Sequence, residues 1–204
     1  MSTDETSLYI APDGGARCRW CEAPGFPAYL HYHDGEWGFP VDNDVRLYEK
    51  LCLEGFQSGL SWRTILAKRE AFRAAFAGFD FERVAAFGAA DVERLLQDAG
   101  IVRHRGKIEA AIHNAARAIE LRAECGSLAA FFWRYEEAAQ PGWRAESERS
   151  RALSKDLKKR GWKFVGPTTM YALMQAMGLV NDHHPACVTH GRVLEARRAF
   201  RVPT

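Results

Sequence analysis

Two amphipathic stripes only six residues apart constrain this chain more than any other feature. Ser150 to Arg160 carries Leu153 and Leu157 at helical spacing, and Gly161 stops the run. Gly166 and Pro167 open the next helix, because proline is best tolerated at the first helical position. Met170, Leu173, Met174 and Met177 mark its apolar side, and Gly178 closes it. Only Gly161-Trp162-Lys163-Phe164-Val165-Gly166 lies between, so residues 150–178 are expected to form a helix–hairpin–helix. A glycine-bearing turn lets the backbone approach a ligand closely, and the second helix directs free N–H groups and its positive dipole end outward. Lys155, Lys158, Lys159, Arg160 and Lys163 add positive charge to the same segment. A basic run alone is ordinarily a solvated face. Together with Gly161, Gly166 and Pro167 it predicts contact with a DNA backbone through Gly161, Lys163 and Gly166, a contact that gives affinity but little sequence information.

The rest of the chain reads as helix. Val45, Tyr48, Leu51, Cys52 and Phe56 recur at helical spacing, and Ser61 caps a helix carrying Ile65, Leu66, Phe72 and Phe76. Asp80 begins a short helix through Val84 and Phe87. Val92, Leu95, Leu96 and Ala99 mark another, for which Gly100 is the expected left-handed stop. Ile108 to Ile119 form a longer stripe ending near Gly126, and Ser127 caps a helix with Leu128, Phe131, Phe132 and Tyr135. Glu136 to Ser150, with Pro141-Gly142, reads as a loop. With no period-2 strand, the fold class is all-α. A chain of 204 residues, 47% hydrophobic, is long enough to bury a real core. The net charge of +2 leaves nucleic-acid contact to local patches, such as the hairpin and a weaker cluster at Arg103-His104-Arg105-Gly106-Lys107. No apolar run approaches the ~18 residues that cross a membrane, and Met1 to Arg17 has no hydrophobic signal core. The expected location is the cytoplasm.

One acid stands out. Glu54 lies on the line of Leu47 and Leu51, at the border of the side that should be buried. A carboxylate there needs a partner, since an unpaired buried charge is costly. Two readings stay open: an internal Arg or backbone partner, or a pocket acid that meets a ligand. Trp62 supplies an aromatic face beyond the Gly59-Leu60 turn.

The five cysteines, an odd count, do not read as a disulfide framework. Cys18, Cys21, His31 and His33 near the start face His183, His184, Cys187 and His190 near the end. Thiolate and imidazole donors select zinc in a tetrahedral site. Spacing leaves two ligand sets, Cys18, Cys21, His183 and Cys187, or Cys18, His33, His183 and Cys187. Either would clip the two ends of the chain together.

Five stretches carry a family resemblance: Tyr29 to Gly38, Cys52 to Trp62, Gln97 to Lys107, Leu153 through Gly166, and Leu179 to His183. In order and with few gaps from about Cys18 to about Cys187, the chain resembles the DNA-3-methyladenine glycosylase I family. Phe56 and Trp162 depart from the common pattern without touching a proposed role. The resemblance implies an all-α helix–hairpin–helix glycosylase fold whose ends are joined by one structural Zn2+ on Cys18, His33, His183 and Cys187. It further implies a pocket for 3-methyladenine made by Tyr32, Glu54 and Trp62, with Tyr29 and Trp20 as further walls and Glu54 as the catalytic candidate. Gly59 and Leu60 match the turn that wedges into DNA; the competing reading buries Leu60 in the core.

The implied activity is base-excision repair of alkylation damage. Double-stranded alkylated DNA is the partner, a flipped 3-methyladenine is hydrolysed from its sugar, and the free base is the product. No lysine is expected in the pocket to act as a Schiff-base nucleophile, so no strand nicking is expected. A monomer is expected, with residues 1–17 as a flexible extension, 18–187 as the glycosylase domain and 188–204 as a basic tail. Asp182 is read as structural, a group that could orient a metal-bound histidine. A DNA-binding protein without excision activity and a zinc hydrolase are the competing functions.

Overall fold

The computed structural model describes residues 8–139 and 144–204. Pro141-Gly142 of the expected loop and the first seven residues of the expected extension lie outside them. Among the described residues the fold is all-α apart from one small hairpin. Strands β1 (Leu8–Ile10) and β2 (Ala16–Cys18) pair antiparallel, Leu8 opposite Cys18. This corrects the reading of residues 8–17 as part of a flexible extension in a chain without strands. The buried Arg17 guanidinium ties the hairpin down, bonding Asp13 at 2.7 Å and both oxygens of Asp34.

The helices that position the site are α1 (Pro27–Gly35), α2 (Asp44–Gln57), α3 (Trp62–Ala67) and α4 (Arg69–Ala75). Short α5 (Phe81–Ala85) and α6 (Ala89–Gln97) lead to the long α7 (Arg105–Cys125) and to α8 (Leu128–Phe132). Then follow α9 (Glu148–Lys159), α10 (Pro167–Ala176) and α11 (Val188–Ala199). The predicted caps at Ser61, Asp80 and Ser127 each accept a backbone N–H of their helix. Tyr48, Phe56, Phe72, Phe76 and Phe79 form one aromatic core between α2, α4 and the following turn.

Three local readings are corrected. The stripe from Ile65 to Phe76 is two helices broken at Lys68, whose ammonium leaves to donate to the carbonyls of Ala99 and Gly100. Gly100 is not a left-handed stop: α6 ends at Gln97, and the Asp98 carboxylate turns the chain by accepting the Gly100 N–H at 2.7 Å. Residues 188–199 are a helix, with Thr189 and Val193 buried.

The hairpin forms where the stripes place it. Gly161 ends α9 at φ 82°, a left-handed conformation that glycine adopts without steric cost. Gly166 precedes Pro167, the first residue of α10. Asn114 of α7 clamps the turn, its side chain bonding both the N–H and the C=O of Lys163 at 2.9 Å. The Ser154 hydroxyl donates to the Val165 carbonyl at 2.6 Å. Trp162 and Val165 are buried, while Lys163 and Phe164 face outward.

Candidate functional site

Helix α1 supplies two adjacent side chains to two sites. Tyr32 points into an aromatic pocket and His33 into a cluster of metal-ligating groups, and both are buried. Trp20 joins the two. Its ring contacts Tyr29 and Tyr32 edge-on on the pocket side, and His33 and Trp37 on the other.

In the pocket, Tyr32 and Trp62 meet with ring centroids 5.3 Å apart. Glu54 projects from α2, 6% exposed. Its partner is neither an arginine nor backbone but Lys50, one turn earlier on the same helix, with Lys50 Nζ 2.9 Å from Glu54 Oε1. The same ammonium donates to the Tyr32 hydroxyl at 2.7 Å and stands 3.2 Å from the Trp62 ring centroid. The expectation of a pocket without lysine is therefore overturned. Burial pushes the Lys50 ammonium down to about 8, against the pull of Glu54. Burial, and then the charge of Glu54, raises the Tyr32 phenol well above its ordinary value, so it stays a neutral hydroxyl.

Gly59 and Leu60 form the rim. Gly59 takes φ 82°, and Leu60 is 43% exposed rather than packed in the core. Lys107 reaches under this turn, donating to the carbonyls of Phe56 at 2.9 Å and Ser58 at 2.6 Å, the unsatisfied C-terminal end of α2. The Arg103–Lys107 cluster thus contributes a buried buttress, while Arg105 pairs with Glu93 at 2.6 Å. On the hairpin, Arg160 is held by Asp156 and Glu124, whereas Lys155, Lys158, Lys159 and Lys163 are exposed.

Cys18, His33, His183 and Cys187 converge, all buried, with one donor atom each within 4.8 Å of the others. This group could hold a metal ion. Cys187 Sγ lies 3.7 Å from His33 Nε2 and 3.8 Å from His183 Nδ1, and Cys18 Sγ is also 3.8 Å from His183 Nδ1. The outer ring nitrogens are engaged as well: His183 Nε2 donates to the Trp37 carbonyl at 2.9 Å, and His33 Nδ1 lies 2.7 Å from Asp34. A hydrogen bond from Cys18 holds the Cys187 thiol far below its ordinary range against the effect of burial, and His183 and His33 add to it. A thiolate is the form that binds metal. Cys21 stands outside the group, its thiol turned to the Cys18 carbonyl at 3.1 Å. His184 turns its ring back to accept the Ala186 N–H.

Asp182 does not orient a histidine. It is held by the Tyr171 hydroxyl at 2.5 Å and by Gln175 at 3.0 Å, both on α10. Asp34 occupies that orienting place, bonding His33, Arg17 and the Thr189 hydroxyl. Sequence reading missed Lys50, Asp34 and Asn114. For Lys50 a signal existed: it stands four residues before Glu54, the spacing of a helical ion pair.

Fold and site together define a class: a helical protein whose hairpin-linked helix pair accompanies an acid-and-aromatic pocket and a four-donor cluster that could hold a metal. Within it, the chain belongs to the methyladenine glycosylase family, whose sequence profile matches residues 20–190. It is 48% identical over 179 residues to DNA-3-methyladenine glycosylase 1 of Escherichia coli (strain K12), covering 84% of this chain and 95% of that one. DNA-3-methyladenine glycosylase of Haemophilus influenzae is 43% identical over 180 residues, covering 84% and 96%. A crystal structure of 3-methyladenine DNA glycosylase I matches with TM-score 0.79 and 47% identity, covering 84% of this chain and 98% of that one. The Staphylococcus aureus enzyme, solved to show the basis of 3-methyladenine recognition, matches at TM-score 0.78 and 37% identity, covering 80% and 92%.

Proposed function

We propose that this protein is a DNA-3-methyladenine glycosylase that flips the damaged nucleotide from duplex DNA and hydrolyses its N-glycosidic bond. The observation that carries the reading is the convergence of a carboxylate, a hydroxyl and an aromatic face on one point already suited to a cation. The Lys50 ammonium marks that point, 2.9, 2.7 and 3.2 Å from Glu54, Tyr32 and the Trp62 centroid. Methylation at N3 makes adenine a cation, so the base gains from the same three groups. Glu54 accepts hydrogen bonds from the adenine edge and faces the positive ring. Trp62 stacks on it, Tyr32 and Tyr29 with Trp20 shape the wall, and the Trp62 indole N–H is buried without a partner within the protein.

The glycosidic bond breaks with its electron pair passing to the base, which leaves neutral, while the sugar takes the positive charge. Water then adds to the sugar carbon and loses a proton, giving an abasic site and free 3-methyladenine. Because the leaving group is already activated, selection and extrusion carry most of the task. Extrusion costs roughly a few kcal/mol, and Leu60, exposed on the Gly59 turn, would fill the gap. Exposed Lys163, with Gly161 and Gly166 at the ends of the hairpin, would hold the phosphate backbone. The strand is left intact in this reading, because water and no amine is assigned to the sugar carbon.

Two thiols and two imidazoles are the donor set of a closed zinc site. Three sulfur–nitrogen separations of 3.7 to 3.8 Å, with all four donor atoms within 4.8 Å of one another, support this reading. Cys18, His33, His183 and Cys187 would hold the ion and fasten β2 and α1 to the start of α11. Four protein ligands leave no position for water, so its contribution is structural.

The test is product analysis with methylated duplex DNA. Wild-type protein is expected to release free 3-methyladenine and give no adduct on borohydride trapping. Glu54→Gln keeps an oxygen that accepts from Lys50, so folding and metal content should persist while base release falls by about 100-fold. Undiminished release would remove Glu54 from the site.

A further inference from the structure

Lys50 is the one charged group in the pocket that the excision chemistry does not call for. Its ammonium is fully engaged by Glu54, Tyr32 and the Trp62 face. These are the groups assigned above to the cationic base, and the inference rests on that assignment. A base stacked on this face of Trp62, with its edge on Glu54, needs the volume that the ammonium fills.

We infer that Lys50 is a resident counterion of the base site, which yields its place to the cationic methylated base and returns when bond cleavage has made the base neutral. The charge balance sets the direction. Exchanging the ammonium for a cationic base replaces one positive charge with another, so the buried Glu54 carboxylate stays paired. After cleavage the base is neutral, and Glu54 would be left beside it as an uncompensated buried charge, a costly state. Return of the ammonium restores the ion pair and the contact with Trp62, and it expels the product. Lysine suits this task because its charge is compact and its four-carbon stem is flexible. The exchange penalises neutral bases alike and spares a cationic one, so it assists release of the product without altering which neutral base is preferred.

Competition by the ammonium requires its charge. Lys50 is faced by Glu54 on its own helix, by Tyr32 and Glu36 on and just after α1, by Trp62 of α3 and by Arg69 of α4. Its proton is lost near pH 8, below the titration of Tyr32 and above that of Glu36, whose value is lowered. Raising the pH through this region removes the competitor.

The experiment measures binding of free 3-methyladenine by quenching of tryptophan fluorescence, together with inhibition of excision by the added base. Between about pH 7 and about pH 9, wild-type affinity should strengthen several-fold as the ammonium discharges. Lys50→Met should bind about tenfold more tightly than wild type at neutral pH, be inhibited more strongly by product, and lose the pH dependence. Lys50→Arg, charged throughout this range, should bind weakly at every pH. Equal or weaker binding by Lys50→Met, or a flat wild-type profile, would overturn the inference. Should Lys50→Met not fold, the wild-type profile and Lys50→Arg decide alone. Trp62→Ala and Glu54→Gln separate the two layers. If both bind the base as wild type does, the base-site assignment itself fails. If they lose binding while Lys50→Met is unchanged, only the counterion role fails.

Discussion

Asn114 and Lys163 form a reciprocal pair, the Asn114 amide donating to the Lys163 carbonyl and its oxygen accepting the Lys163 N–H, each at 2.9 Å. The long helix α7 thereby fixes the hairpin backbone and leaves the Lys163 side chain free to face outward. Removal of Lys163 and removal of its clamp should consequently differ. Lys163→Ala is expected to reduce the salt dependence of DNA binding by about one phosphate contact, uniformly across sequences and without loss of stability. Asn114→Ala should instead destabilise the fold by about 1–3 kcal/mol, since two backbone groups lose their partner. Salt titrations of DNA binding and denaturant melts read the two effects separately.

Leu60 is expected to act before the chemistry. Leu60→Ala should lower excision from duplex DNA on the order of tenfold, because the vacated stack is no longer filled. Excision from methylated single-stranded DNA should change little. An equal loss on both substrates would place Leu60 in the base pocket or the core instead.

Removing the metal should act on the fold. Cys187→Ser, or chelation of the wild-type protein, should lower Tm by at least about 10 °C and reduce bound metal from one per chain. Cobalt(II) in place of zinc should preserve base release while giving the visible spectrum of a tetrahedral thiolate site. Turnover that varied with the metal's acidity would contradict a purely structural ion.

Glu36 gives a pH signature. Burial alone would raise its carboxyl, but Arg69, bonded to both oxygens at 2.7 and 2.9 Å, and then Arg46 hold it below the ordinary value. A depressed carboxyl contributes stability that is complete above the unfolded value near 4.5 and is lost as pH falls through the folded one. Glu36→Gln should therefore cost about 1–2 kcal/mol at neutral pH, the partial exposure of the pair being allowed for. The difference from wild type should shrink in acid. A constant difference across the acid range would assign the loss to packing.

What the sequence displays best is helix punctuation. Ser61, Asp80, Ser127, Gly161 and Pro167 act locally, through one side chain or one backbone angle, and all five stand where their chemistry predicts. Lys50 shows the opposite case. Beside Arg46 and Glu49 nothing local marks it as buried, and only the packing of α1 and α3 against α2 makes it 5% exposed. Asp98 in place of Gly100 is a similar lesson at short range, because an aspartate that accepts a backbone N–H two residues on stops a helix without a left-handed residue. The strands Leu8–Ile10 and Ala16–Cys18 are too short to show alternation, and their anchor, Arg17 on Asp34, is tertiary. Helix α11 buries so narrow a side that its residues resemble a basic tail.

The donor cluster has a consequence for how the molecule is made. Cys18 and His33 emerge from the ribosome early, but His183 and Cys187 follow some 150 residues later, Cys187 and His33 being separated by 154 positions. A nascent chain holding only the first pair has half of the donor set. An ion that needs all four donors would therefore be captured only after the intervening helices have been made, and a chain ending before His183 would lack half of the donor set.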